Sequence, residues 1–391
     1  MNPREYLSVM NRSNGFNTSN INMLVSGSDE LVLSWCLEDL VARCRSDGKT
    51  LVIIDDANFI GAINTALLAR YGYSVRNLLS GDVCIYDPFS FGSLSGMTGL
   101  RQLVEAMGLD EEHKLKVFVY LNLLSYLDKL ANASSSGLTI SKLLFDYGSG
   151  SMVQAKIRKL RSDDIVDDEQ EAYLMARYSE AAPVAPVFES ILFTLSPFIN
   201  RENTPLTEDR SAVLVLPLHQ LDGDKSMKIA LLSLLRFGLS ALGPAGLHIL
   251  LTDRGYGDRT ALSGFIEKVA PAAMTLLSKD AFTFGEQALE AVFNRFDLRV
   301  YSRHTSGSSC AAIESALGEA LVVKRSYASH HDRRWAANKP LDVLFGKNKS
   351  ESYTQLAPVY EARYRREMIA GLPAGSAIIE YLGNSSVVSC R

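Results

Sequence analysis

Short apolar runs alternate with helix-length segments over residues 20–90, and this alternation limits the folds that the chain can adopt. Two of the apolar runs lie at 21–26 and 50–55, and a helix is expected between them at 31–45. The same alternation predicts a further helix at 59–71 and a further strand at 82–87. Because short apolar strands separated by helices form parallel sheets, the pattern predicts an α/β fold with both sheet faces buried.

The pattern changes over residues 97–205, where apolar residues recur at spacings of three and four and strand alternation is not seen. This stretch is predicted to be an all-helical insertion of domain size. The sequence therefore predicts an α/β domain formed by 1–96 plus 206–391, with the helical domain inserted at 97–205. Strand signals resume in this order: 212–217, 247–253, 273–277, 298–301, 320–324 and 377–382.

Composition excludes several classes of protein. A hydrophobic content of 47% is that of a folded globular chain, and a net charge of −4 provides no global attraction to DNA or anionic lipid. The five cysteines lack metal-binding spacing, so no metal is predicted. The sequence shows no signal peptide and no uninterrupted membrane-spanning run, which predicts a cytoplasmic protein.

The segment Gly27 to Ser34 follows the first predicted strand and opens a helix, where a phosphate-binding G-x-x-x-x-G-K-[ST] loop would lie. Gly27 and Ser34 match the outer positions of that pattern. Val32 and Leu33 stand where the second glycine and the lysine belong, and neither can wrap or neutralise a phosphate. We therefore expect no nucleotide cofactor. The alternative is a plain turn in which Ser28, Asp29 or Ser34 caps the helix, and residual anion binding stays open.

The order of these parts resembles a known family. A strand ends at Asp55, a second leads into Asp87-Pro-Phe89, and a helical insertion is followed by the strand 214–217. A strand ending at Asp253 and the segment Leu372-Pro-Ala-Gly-Ser-Ala-Ile-Ile-Glu380 complete the order. The chain resembles the motor portion of the type IV secretion and conjugation coupling proteins (TraG/TraD-like). That resemblance implies a RecA-like domain, although the family's membrane-spanning region has no counterpart in this sequence.

The chain departs from the family's nucleotide motifs. Where the family has Asp-Glu after the second-motif strand, this chain has Asp253-Arg254, and a guanidinium cannot accept a proton. Asp253 is predicted to pair with a nearby arginine, Arg254 or Arg259. The family's arginine that reaches a neighbouring subunit is replaced by Val269-Ala-Pro271, and its glutamine by 276–280. These losses predict that the protein is not an enzyme but a pseudo-ATPase without catalytic residues.

The function predicted from the resemblance is a non-hydrolysing component of a type IV secretion or conjugation apparatus. It would act as a scaffold or adaptor for the coupling or energising ATPase or its substrate, within a hetero- or homo-oligomer, with peripheral attachment to the inner membrane through partners left open. One alternative is a weak ATPase, or a subunit that supplies Arg254 or Arg259 to a composite site on its neighbour. Another is a DNA-binding accessory factor, which the acidic balance disfavours.

Two basic segments are candidates for interactions. Lys156 and Arg158 lie on one predicted amphipathic helix, whose solvated face could dock a partner. The segment 325–352 is predicted to be flexible, and within it Arg333, Arg334 and Trp335 mix charge with an aromatic ring. Such a mixture suits a phosphate backbone or a partner's acidic face. An exposed loop with neither role is the other interpretation.

Overall fold

The computed structural model describes much of the chain. The described residues are 21–59, 62–79, 104, 109–132, 138, 140–186, 189–190, 212–221, 225–240, 246–255, 259–269, 272–284, 292–330, 351–381 and 383–390.

The helices and strands of the described residues follow one another along the chain in a mixed α/β order. They are β1 (Met23–Ser26), α1 (Glu30–Ser46), β2 (Thr50–Asp55), α2 (Ala62–Arg70), β3 (Ser74–Asn77), α3 (Glu111–Ala131), α4 (Ile140–Asp146), α5 (Gly150–Ser162), α6 (Asp168–Ala181), β4 (Ala212–Leu216), α7 (Lys225–Ser240), β5 (Leu247–Asp253), α8 (Thr260–Lys268), β6 (Ala273–Ser278), β7 (Leu298–Tyr301), α9 (Gly307–Leu317), β8 (Glu319–His330), β9 (Glu351–Ala362), α10 (Arg366–Ala370), β10 (Ser376–Tyr381) and β11 (Asn384–Ser389). Short 3₁₀ helices lie at Ala182–Val184, Leu218–Leu221 and Ala281–Thr283.

The strands form a nine-stranded sheet in the order β11-β10-β7-β1-β6-β5-β2-β4-β3. Every pair from β7 through β3 is parallel, whereas β10 runs antiparallel to both β7 and β11. The predicted α/β, RecA-like fold with a mostly parallel sheet is confirmed. The strand order reverses at β1. The next strand in the chain, β2, lies on one side of β1 in the sheet, and β7 lies on the other.

Both faces of the sheet are buried, because successive strand residues point to opposite sides. On one face, Leu24, Val52 and Ile54 join a hydrophobic core that also takes in the helices between β3 and β4. On the other face, Val25 and Ile53 pack in a second core with the apolar side of α1. Between their terminal residues these runs are therefore apolar instead of alternating with polar residues.

Helices α3 to α6 lie between β3 and β4 in the chain, within the predicted helical segment. Asp110 and Ser149 cap α3 and α5, and Asp167 forms a capping box with Gln170 at the start of α6. Their buried residues share the core described above. The proposed domain limits at 97 and 205 stay a prediction, because both lie outside the described residues.

Residues 303–373 form a compact unit separate from the unit that holds the sheet. It contains the antiparallel ribbon of β8 and β9, in which Glu319 pairs with Ala362 and His330 with Glu351. The sequence did not predict this unit. The segment 325–352 was predicted to be flexible, but its two ends belong to strands, since β8 continues to His330 and β9 begins at Glu351, and the ladder between them pairs their backbones.

Two further differences concern single strands. The strand β3, Ser74–Asn77, was not predicted, because its sequence Ser-Val-Arg-Asn is polar and exposed at the edge of the sheet. The predicted strand at 82–87, with its Asp-Pro turn, lies outside the described residues. Within the described part of the chain, none of the helices combines the length and apolar character needed to cross a bilayer.

Candidate functional site

Polar residues end three neighbouring strands at one edge of the sheet. Ser26 of β1 pairs with Ser278 of β6, and Ser278 pairs with Asp253 of β5. Each of these side chains is almost completely buried. Because parallel strands end together, three separate segments of sequence bring a carboxylate and two hydroxyls into one row. We call this row and the loops that follow it the carboxyl edge.

Asp253 is the centre of the hydrogen bonds at the carboxyl edge. Its Oδ2 accepts a short hydrogen bond from the Ser278 hydroxyl and another from the Gly255 backbone N–H at 3.2 Å. The Ser278 hydroxyl oxygen also accepts the N–H of Asp280 at 3.2 Å. The loop after β6 returns to β1, since the Ala281 N–H donates to Ser26 Oγ at 3.0 Å. The ends of β1, β5 and β6 are thus tied together by side chains.

Arg259 is the cation that faces Asp253. Its Nε lies 3.1 Å from Asp253 Oδ1, and its side chain is only 5% exposed. One terminal nitrogen donates to the Asp280 carbonyl at 3.1 Å, and the guanidinium lies 4.5 Å from the centre of the Phe284 ring. The predicted pairing of Asp253 with a nearby arginine is therefore observed, and the partner is Arg259.

Burial dominates the acidity of Asp253. It raises the pKa of this carboxyl to about 6, against the lowering influence of Arg259 and of the Ser278 hydrogen bond, and nearby Asp56 adds to the rise. A carboxyl with such a pKa changes charge close to neutral pH. A strongly perturbed acid beside a buried cation is a common feature of functional sites.

A second set of polar groups lies at the ends of β2 and β5. The buried Asp55 accepts a hydrogen bond from the Thr252 hydroxyl at 2.5 Å and from the Phe59 N–H at 2.9 Å. Its neighbour Asp56 pairs with Lys228 at 2.8 Å. Arg254 is half-buried and donates from Nε to the Asp56 carbonyl at 2.6 Å. Arg254 thus stabilises the loop after β2. Its suggested contribution to a composite site on a neighbouring subunit stays a prediction.

The loop between β1 and α1 contains only residues 27–29. Asp29 caps α1 by accepting the N–H groups of Leu31 and Val32, which confirms one of the predicted caps. Its Oδ2 also accepts the Gly375 N–H at 2.7 Å. Val32 and Leu33 lie inside α1 and are buried in the core against the sheet, whereas Ser34 is exposed on the same helix. The proposed match to a longer phosphate loop therefore places two helical core residues in loop positions.

Gly27 is expected to tolerate no side chain. Its φ is +138°, and a Cβ would lie 2.0 Å from Ser302 Oγ and 3.0 Å from the Ser302 carbonyl carbon. Gly27→Ala should therefore lower the free energy of unfolding by about 2 to 3 kcal/mol, since strain and a clash coincide. Urea unfolding measures the change. Gly48→Ala is the control, because Gly48 also has positive φ but has open space around it. Equal losses in the two variants would show that the Ser302 contact is unimportant.

The other predicted interaction residues lie away from this row in sequence. Lys156 of α5 places its ammonium 6.0 Å from the centre of the Tyr147 ring, and Arg158 is exposed on the same helix. Arg333, Arg334 and Trp335 lie outside the described residues. No three His, Cys, Asp or Glu side chains among the described residues are grouped as metal ligands would be.

Comparison with known proteins identifies the fold. No family model and no curated protein matches the sequence. Among solved structures, the plasmid coupling protein TrwB bound to ADP and Mg²⁺ matches with a TM-score of 0.53 at 14% identity, over 95% of this chain and 85% of that one. The chain has the fold of a conjugative coupling protein. TrwB with a non-hydrolysable GTP analogue matches at 0.54 and 14% identity, with coverage of 95% and 85%. VirB4 of Thermoanaerobacter pseudethanolicus matches at 0.53 and 10% identity, with coverage of 95% and 89%.

These matches correct one prediction. The sequence led us to expect a pseudo-ATPase and no enzyme, and this was wrong, because structures of the same fold hold ADP with Mg²⁺ and a GTP analogue. The physical reason lies in the alignment of the loop. Val32 and Leu33 were counted as lost loop residues, but α1 already begins at Glu30, so their apolar character reflects core packing.

Sequence inspection missed Ser26 and Ser302 as part of the site. Ser302 follows β7 and its N–H donates to the Ser26 carbonyl at 2.9 Å, while its hydroxyl accepts the Asp29 N–H at 3.4 Å. A serine at the end of an apolar strand is a weak signal by itself. Three serines at the ends of β1, β6 and β7 are together the signal that could have indicated the carboxyl edge.

Proposed function

We propose that this chain is a nucleotide-binding component of a type IV secretion or conjugation apparatus, and that nucleotide binds at its carboxyl edge. The observation that supports this most is the buried row of Ser26, Ser278 and Asp253, which lies where sheets of this kind bind ligands. In open α/β sheets, ligands bind beyond the carboxyl ends of strands at the point where strand order reverses. In this sheet β1 lies at such a point, between β6 and β7.

The likeness to proteins of this apparatus supports the cellular part of the proposal. It extends over 95% of this chain, with 84% of the unbound TrwB structure and 89% of VirB4 covered. Similarity along nearly the whole length favours a shared role over a shared motif. We propose that the chain works with protein partners of the apparatus.

Chemistry at the carboxyl edge is compatible with a nucleotide and its cation. Asp253 is a buried carboxylate whose Oδ1 has no hydrogen-bond partner among the described residues, so it could hold a cation that a nucleotide carries. Arg259, whose Nε lies 3.1 Å from the same carboxylate, is a positive charge that could meet a phosphate. When bound, magnesium would neutralise phosphate charge.

Titration calorimetry with Mg-ATP and Mg-GTP tests the proposal. Wild-type protein should bind at least one of them saturably. Ser28 is exposed in the loop after β1, so Ser28→Trp should obstruct the carboxyl edge and weaken binding at least about tenfold, or 1.4 kcal/mol, in a protein that circular dichroism shows to be folded. Ser179→Trp, on the exposed side of α6, introduces the same bulk elsewhere and should bind as wild type does.

A genetic experiment tests the role in the apparatus. In a host that carries the complete transfer gene cluster, deletion of this gene should abolish transfer, and the Ser28→Trp gene should restore it poorly. Undiminished transfer after deletion would contradict a role in the apparatus. Absence of saturable binding of either nucleotide would contradict the nucleotide site.

A further inference from the structure

Arg259 is a buried guanidinium whose hydrogen-bonding capacity is not met. Its side chain is 5% exposed, yet Nε and Nη2 have no hydrogen-bond partner among the described residues. Asp253 Oδ1 is also without one, although it lies 3.1 Å from Nε, so the two charges are close but not aligned for a hydrogen bond. An unmatched donor and an unmatched acceptor thus lie side by side in a buried place.

The location of Arg259 is also unfavourable for a positive charge. Arg259 is the N-cap residue of α8, and its side chain makes no capping bond. The N-terminus of a helix carries partial positive charge, so it favours anions over cations. Arg295 provides the contrast, because it donates to the Ile266 and Val269 carbonyls at the other end of α8. A buried cation at the wrong end of a helix indicates a requirement other than stability.

We propose that Arg259 binds a phosphate oxygen of a nucleotide within its own chain, so that its ion pair with Asp253 is replaced by one with the phosphate. This inference rests on the proposed function and adds the residue that contacts the phosphate. The pair of unmatched atoms suits a phosphate that carries a cation, since the oxyanion meets the guanidinium and the cation meets the carboxylate. The burial of Arg259 also favours a role in its own subunit over one in a neighbour's site, for which the more accessible Arg254 is better placed.

Metal-free pyrophosphate is the probe that isolates the guanidinium, because it lacks the cation that Asp253 would hold. In Asp253→Asn the competing carboxylate is gone, and pyrophosphate should bind about tenfold more tightly than to wild type. The double variant Asp253→Asn with Arg259→Gln keeps a neutral, similarly sized pair and should lose that gain. Asp253→Asn with Arg259→Lys should keep part of it, since the charge remains but the fork of donors is lost.

Arg295→Gln is the matched control, since it removes a half-buried arginine at the opposite end of α8. It should bind pyrophosphate as wild type does, and circular dichroism should confirm that every variant is folded. Equal affinity of Asp253→Asn and its Arg259→Gln double variant would overturn the inference and assign the unmatched atoms to a buried water. If wild type binds Mg-ATP in that case, the proposed function stands without it; if no variant binds either probe, both fail.

Discussion

Lys142→Met is expected to lower the free energy of unfolding by about 3 kcal/mol, because it leaves a buried carboxylate without its cation. Asp128 of α3 is 1% exposed, and Lys142 of α4 places Nζ 3.0 Å from its Oδ2. Asn132 donates to the other oxygen at 3.2 Å, and this neutral donor does not replace the charge of Lys142. Urea unfolding followed by far-ultraviolet circular dichroism measures the loss.

The double variant Asp128→Asn with Lys142→Met tests whether the loss of stability comes from the buried charge of Asp128 left without Lys142. Since a neutral side chain then occupies the buried position, stability should return to within about 1 kcal/mol of wild type. Lys116→Met is the surface control, because its partner Glu112 is 73% exposed, and its effect should stay below about 0.5 kcal/mol. If Lys142→Met is as mild as Lys116→Met, the Asp128 pair does not stabilise the helical segment.

Acid is expected to destabilise the protein through His248, by up to about 1.4 kcal/mol for each pH unit below about pH 6.5. His248 on β5 is 3% exposed, and one of its ring nitrogens lies 3.0 Å from Thr275 Oγ1. Burial, together with the charges of Arg43 and Lys49, lowers its pKa from 6.5 to about 3. The folded protein therefore keeps the ring neutral while the unfolded chain protonates it. The stabilisation is complete above the unfolded pKa and is lost as pH falls toward the folded pKa.

Asp253 titrates with the opposite sign in the same range. Its folded pKa is raised from 3.8 to about 6, so its contribution to stability is present at low pH and is lost as pH rises through that value. Urea unfolding at several pH values between about 4 and 7 should separate the two groups. His248→Gln should remove the loss of stability in acid, whereas Asp253→Asn should make that loss steeper than in wild type. Identical pH profiles for His248→Gln and wild type would contradict the buried neutral histidine.

Strands and helices with strong local patterns were predictable from the residues alone. The strands at 247–253 and 298–301 were placed to the residue, because apolar runs bounded by polar or turn residues are local signals. The pairing of Asp253 with a nearby arginine was predicted with Arg254 and Arg259 as candidates, and only the structure shows that the partner is Arg259. The ribbon of β8 and β9 was not predictable from the residues alone. Its two strands are separated in sequence by residues 331–350, and they pair through backbone hydrogen bonds, which side-chain patterns do not indicate.

The sequence by itself determined the alternation of apolar strands and amphipathic helices, and with it a mostly parallel sheet buried on both faces. Only the tertiary structure decided which chain segments meet at the carboxyl edge. Ser26, Asp253, Ser278 and Ser302 come together because parallel strands from distant parts of the chain end in the same row. It also decided that Val32 and Leu33 belong to a helix that starts at Glu30, since packing against the sheet and the Asp29 cap set where α1 begins.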